Sequence, residues 1–72
     1  DIAVSPNPAK DNISINTDKD INKISIYSSN GSLVKEVNDK SKHINISQLS
    51  TGMFMIMIYT ENGIIRKKFI KE

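Results

Sequence analysis

Isoleucines two positions apart recur along this chain: Ile13 and Ile15, Ile24 and Ile26, Ile44 and Ile46, Ile56 and Ile58. A spacing of two puts both members of a pair on one face of a strand, with the residue between them on the other. Asn12-Ile13-Ser14-Ile15-Asn16, Lys23-Ile24-Ser25-Ile26-Tyr27 and His43-Ile44-Asn45-Ile46-Ser47 each alternate in this way. The chain has thirteen Ile against two Leu and two Ala, so few good helix formers are left. Branched side chains suit the pleated strand instead. Eight Asn and nine Ser supply turn chemistry between the alternating runs.

Seven strands follow. Ile2 to Ser5 is a short first strand, stopped by Pro6-Asn7-Pro8, whose prolines have no N–H for a ladder. Asn12 to Asn16 is the second, and the polar stretch Thr17 to Asn22 reads as a loop. Lys23 to Tyr27 and Leu33 to Val37 form a hairpin across Asn30-Gly31, the dipeptide of a type I′ turn. His43 to Ser47 is the fifth strand. Leu49 to Gly52 bends the chain, with Gly52 free to take a positive φ. Met53 to Thr60 is the longest apolar run and the central-strand candidate, and Asn62-Gly63 turns it into Ile64 to Lys71. Short strands with turn signals at this spacing predict an all-β, seven-stranded antiparallel β-sandwich of immunoglobulin-like type. Its expected core is Ile13, Ile15, Ile24, Ile26, Val34, Ile44, Ile46, Leu49, Phe54, Ile56 and Ile58.

With 72 residues there is room for one small domain, whose folding buries only about 60 % of the unfolded surface. No cysteine is present to add a disulfide or a thiolate metal site. No linker, low-complexity tract or fixed-period repeat divides the chain. It begins at Asp1 without Met or an apolar leader, and reads as a fragment of a larger protein. No apolar run approaches the roughly 20 residues of a membrane-spanning helix.

The groups for catalysis are sparse. His43 is the single histidine and reads as a solvent-side residue at a strand start. Asp18, Asp20 and Asp39 have the oxygens that calcium favours, but Lys19 interrupts them and no EF-hand Gly or distal Glu follows. No nucleophile elbow, Walker loop or dinucleotide fingerprint occurs. Neither an enzyme nor a cofactor is expected. Arg66-Lys67-Lys68 with Lys71 is the basic cluster. On a strand its members alternate between faces, and the net charge is only +2, so nucleic acid is not the expected partner. Lysines guarding an edge strand explain it better. The N-x-S matches at Asn12, Asn30 and Asn45 are common by chance in so Asn- and Ser-rich a chain.

The order of motifs resembles the C-terminal sorting domain of the type IX (Por) secretion system, type A, found at the ends of exported Bacteroidetes proteins. Ser5-Pro6-Asn7-Pro8-Ala9 is similar to that family's Y-P-N-P-A opening, with Ser5 in place of the aromatic. Ile24-Ser25-Ile26-Tyr27, Asn30-Gly31 and Val34 resemble its I-x-I-Y-x-x-x-G-x-x-V hairpin. Ile44-Asn45-Ile46-Ser47-Gln48-Leu49-Ser50-Thr51-Gly52-Met53-Phe54 resembles its I-x-[IV]-S-x-L-x-x-G-x-[YF] stretch. Gly63 and Lys67-Lys68-Phe69-Ile70 are similar to the closing strand. The resemblance implies a non-catalytic sorting signal that directs a parent protein across the outer membrane. It further implies the outer-membrane translocon and a sortase-like peptidase as partners, and a destination outside the cell or on its surface by way of the periplasm. The motif residues expected to matter are Pro6, Asn7, Pro8, Gly31, Leu49, Gly52, Phe54, Gly63, Lys68 and Lys71, the last two as a charged extended edge. The alternative is an accessory β-sandwich binding carbohydrate or a surface protein, for which only Tyr27 and Tyr59 could serve as exposed stacking aromatics.

If Phe54, Ile56 and Ile58 point inward, Met53, Met55, Met57 and Tyr59 must point outward. An outer sheet face is ordinarily polar, so this stripe is a possible contact face, for the parent domain, a second copy or the export machinery.

Overall fold

The computed structural model describes residues 2–72; Asp1 lies outside the described residues. The described residues form seven strands: β1 Ala3–Ser5, β2 Asn12–Asn16, β3 Ile21–Ser28, β4 Leu33–Val37, β5 His43–Asn45, β6 Gly52–Thr60 and β7 Gly63–Lys71. They lie in two antiparallel sheets, ordered β1-β2-β5 and β4-β3-β6-β7. The chain crosses between sheets after β2, β4 and β5, which makes an immunoglobulin-like sandwich.

The alternating isoleucines meet between the sheets. The largest fully buried side chains are Phe69 and eight isoleucines, at positions 13, 21, 24, 26, 44, 46, 56 and 58. Stiff branched side chains fill this space with little rotamer entropy to lose. Phe54 and Phe69 sit opposite each other on β6 and β7, with rings stacked at 5.6 Å between centroids. Such a pair adds about 0.5–1.5 kcal/mol beyond area burial. Ile2 and Ala9 complete the core from the chain's beginning, and Leu49 packs half-buried against it.

Two departures from the sequence reading have one cause. Along β3 and β4 the pairing passes from Ile26–Lys35 to Tyr27–Leu33, so Val34 is an extra residue in a bulge. It is 41 % exposed and not part of the core; Val37 packs there instead. At the other end of β3, pairing passes from Ile21–Thr60 to Lys23–Tyr59, leaving Asn22 as the extra residue. That bulge turns Ile21 inward and extends β3 into the stretch read as a loop. A bulge resets the face that each later residue occupies, so strict alternation misassigns whatever lies beyond it.

Two smaller corrections concern turns. β5 stops at Asn45 rather than Ser47, because the Asn45 side-chain oxygen accepts from the Ser47 N–H at 2.8 Å and draws the chain into a turn. Ile46 stays buried, its N–H donating to the Asp11 carbonyl at 2.7 Å. The Asn30-Gly31 hairpin is not type I′, since only Gly31 of the two has a positive φ, at 91°. The Gly31 N–H donates to the Ser28 carbonyl, and the Ser28 N–H to that of Ser32. This is a three-residue loop with glycine at the left-handed position. Asn30 braces it by accepting from the Ser32 N–H at 3.1 Å and from the Ser28 hydroxyl.

The bulge and the loop make distinct stability expectations. Ile26→Ala should cost about 2–5 kcal/mol, as for fully buried isoleucines in general. Val34→Ala should stay within about 0.5 kcal/mol, as at an ordinary surface position. Equal losses in urea titrations of the two variants would contradict the bulge. Nothing lies within 4 Å of a Cβ added at Gly31, so the cost of Gly31→Val is chiefly backbone strain at φ 91°. It should fall at about 1–3 kcal/mol in the same titration.

Candidate functional site

Two surfaces stand out, and the first is made by the Pro6-Asn7-Pro8-Ala9 segment. Both Ser5–Pro6 and Asn7–Pro8 peptide bonds are cis. The prolines leave the segment short of backbone donors, so it bonds through what remains. The Asn7 side-chain oxygen accepts from the Ile70 N–H at 2.9 Å. The Ala9 N–H donates to the Ile70 carbonyl at 2.7 Å, and the Glu72 N–H to the Ala9 carbonyl at 2.7 Å. Ala9 thereby pairs with Lys71 in a parallel bridge and is fully buried. The free edge of β7 is covered over its last residues by the chain's own beginning.

The second surface is the outer face of the four-stranded sheet. β6 turns Met53, Met55, Met57 and Tyr59 outward, as alternation predicts; Met53 is exposed and the other three are half-buried. Register places Lys68, Met55, Tyr27 and Leu33 in one row across the sheet. Arg66, Met57, Ser25 and Glu36 form the next, and Ile64, Tyr59 and Lys23 the one after. Ser25 is 2 % exposed although it faces outward, because a small residue between long ones disappears beneath them. Lys23 lies 3.4 Å from Glu36 and 4.5 Å from the centroid of the Tyr59 ring. Tyr27, Met53, Met55, Met57 and Lys68 line a shallow groove of about 430 Å³ beside the Gly31 loop.

The ten motif residues do not converge on one site. Phe54 is core, Leu49 packs against the core, and Gly31, Gly52 and Gly63 occupy positive φ. Pro6, Asn7, Pro8 and Lys68 are exposed. Lys71 departs from its expected role as an edge charge. It shares the inward side of β7 with Phe69, is 7 % exposed, and its Nζ donates to the Glu72 carbonyl at 3.0 Å. Arg66 and Lys68 carry the exposed positive charge of β7. His43 is exposed, with Nδ1 3.0 Å from the Ser14 hydroxyl. No group of three or more His, Asp or Glu among the described residues is placed to hold a metal ion. Sequence reasoning missed the pairing of Ala9 and Ile70; the one local signal was an amide side chain between two residues that cannot donate.

The family model for the secretion system C-terminal sorting domain matches residues 3–72. No curated protein matches the chain. Among solved structures it is similar to PorZ, an essential bacterial surface component of the type-IX secretion system of Porphyromonas gingivalis. The match has a TM-score of 0.73 and 14 % identity, and covers 99 % of this chain but 11 % of that one. At that identity the likeness speaks for the fold.

Replacing Asn7 tests the cover on β7. Asn7→Ala removes a single hydrogen bond and should cost about 0.5–1.5 kcal/mol. Amide exchange at Ile70 should accelerate while exchange at Ile56 follows only the global loss. Unchanged protection at Ile70 would remove Asn7 from this role.

Proposed function

The chain belongs to the secretion system C-terminal sorting domain family, and on that premise we propose that residues 1–72 are one C-terminal unit of a larger exported protein. The parent protein is secreted or exposed on the cell surface, reaching it through the periplasm. In this reading the domain is a non-catalytic address for the type IX machinery. It directs the parent across the outer membrane, where the translocon reads it and a sortase-like peptidase acts on it. The single observation that carries the reading is the family match over nearly the whole chain. The geometry is in keeping with it, since the motif residues build and close a sandwich rather than surround a reacting group.

Pro6, Asn7, Pro8 and Lys68 are the motif residues with exposed side chains to offer the machinery. Leu49, Phe54, Lys71 and the three glycines act through the fold they maintain. A carbohydrate-binding module is the weaker alternative. Of its two candidate stacking rings, Tyr59 is already covered by the Lys23 ammonium, and Tyr27 sits against Met55.

Residues 1–72 fused behind a periplasm-directed reporter should carry it out of a cell that has the type IX machinery. Deleting residues 64–72 removes Phe69, strips β6 of a neighbour and leaves Asn7 and Ala9 without their partners. That fusion should remain in the periplasm. Surface delivery by the truncated fusion would overturn the assignment.

A further inference from the structure

The outer face of the four-stranded sheet combines an apolar centre with a charge imbalance. Its centre is the run of Met53, Met55 and Met57, whose flexible thioethers adapt to varied apolar partners. Along the β7 side stand Arg66 and Lys68, both exposed. Among the described residues neither makes an ion pair. The strands of this sheet turn one carboxylate outward, Glu36, and Lys23 already engages it at 3.4 Å. The border along β4 is therefore neutralised, and the border along β7 is positive.

We propose that this face docks a helix of a partner protein, apolar along one stripe and carrying Asp or Glu on the flank that lies against β7. The run from Met53 to Tyr59 is about 20 Å long at roughly 3.3 Å per residue. That length accommodates between three and four helical turns of about 5.4 Å. An amphipathic helix laid in an apolar groove is an established recognition mode. The groove beside Met53 and Met55 takes its apolar side chains, while Arg66 and Lys68 take the carboxylates. A second copy of this chain is a poorer occupant, because its matching face has no uncommitted carboxylate to set against Arg66 and Lys68.

The test uses two synthetic amphipathic helices, with Leu on one face and either Glu or Lys along one flank. Each is titrated into the isotopically labelled chain while the methyl resonances of the three methionines are followed. The Glu helix should shift all three, with affinity that falls as salt is raised. The Lys helix should leave them unmoved. Reversing the border with R66E and K68E together should weaken the Glu helix by at least about tenfold and admit the Lys helix. If that variant loses amide dispersion, R66Q with K68Q replaces it and should bind neither helix through charge. Equal binding of both helices, or of neither, overturns the proposal. So do methionine shifts that track the chain's own concentration, which would assign the face to a second copy. Because the titration needs no export, its failure leaves the sorting role standing, and a failed export assay leaves this surface standing.

Discussion

The last strand is the piece on which the rest of this sandwich depends, and it is held from both sides. On one side β7 pairs along its whole length with β6. On the other, Asn7 and Ala9 bond to Ile70 and Glu72, joining parts of the chain as much as 63 positions apart in sequence. Closing so long a loop is costly in entropy, and the chain has no disulfide to share the work. What offsets it is the inward side of the same strand. β7 places Phe69 on Phe54 at the centre of the core, and Ala9 is buried as the covering segment arrives. Core packing and edge closure are thus formed by the same few residues and should be gained or lost together.

β6 shows how one strand can serve two surfaces of different character. Phe54, Ile56 and Ile58 are buried between the sheets, while Met53, Met55, Met57 and Tyr59 stand on the far side. Both sides are apolar, an arrangement usual for a strand covered on both faces. Here the outer cover is partial. Lys23 lies over Tyr59, and Ser25 is buried in the row between Met57 and Glu36. Long polar side chains lend their stems as a roof over part of the stripe and leave Met53 outside it.

Much of this was legible from the spacing of isoleucines, because every pair two positions apart does face the core. The outward methionines followed from the same rule. The failures sit where the rule is locally suspended. Val34 is the extra residue of one bulge and Ile21 lies beside the other, and a bulge has no sequence signature in Leu33-Val34-Lys35 or Ile21-Asn22-Lys23. The Asn30-Gly31 dipeptide marked a turn correctly but not its type, since one positive φ suffices when the loop has three residues. Lys71 looked exposed because it is charged, yet position and neighbours put it inside, with its ammonium reaching back to a carbonyl. The Pro-Asn-Pro-Ala motif was recognisable by resemblance. Its bonding to Ile70 was not, because a contact across the whole chain leaves no local trace.

The cover on β7 also has a direction. Ala9 runs parallel to Lys71, whereas every other strand pairing is antiparallel. A pull applied at the chain's beginning meets β1 first, which is paired with β2 over Ala3, Val4 and Ser5, and reaches the bonds to Ile70 and Glu72 only after that pairing has parted. β1 hands that load to β2 and so to the three-stranded sheet. Mechanically, the two sheets stand in series: tension on the chain's beginning falls first on buried Ile2 and the three-pair ladder of β1, and the bonds that close the edge of β7 are shielded behind them.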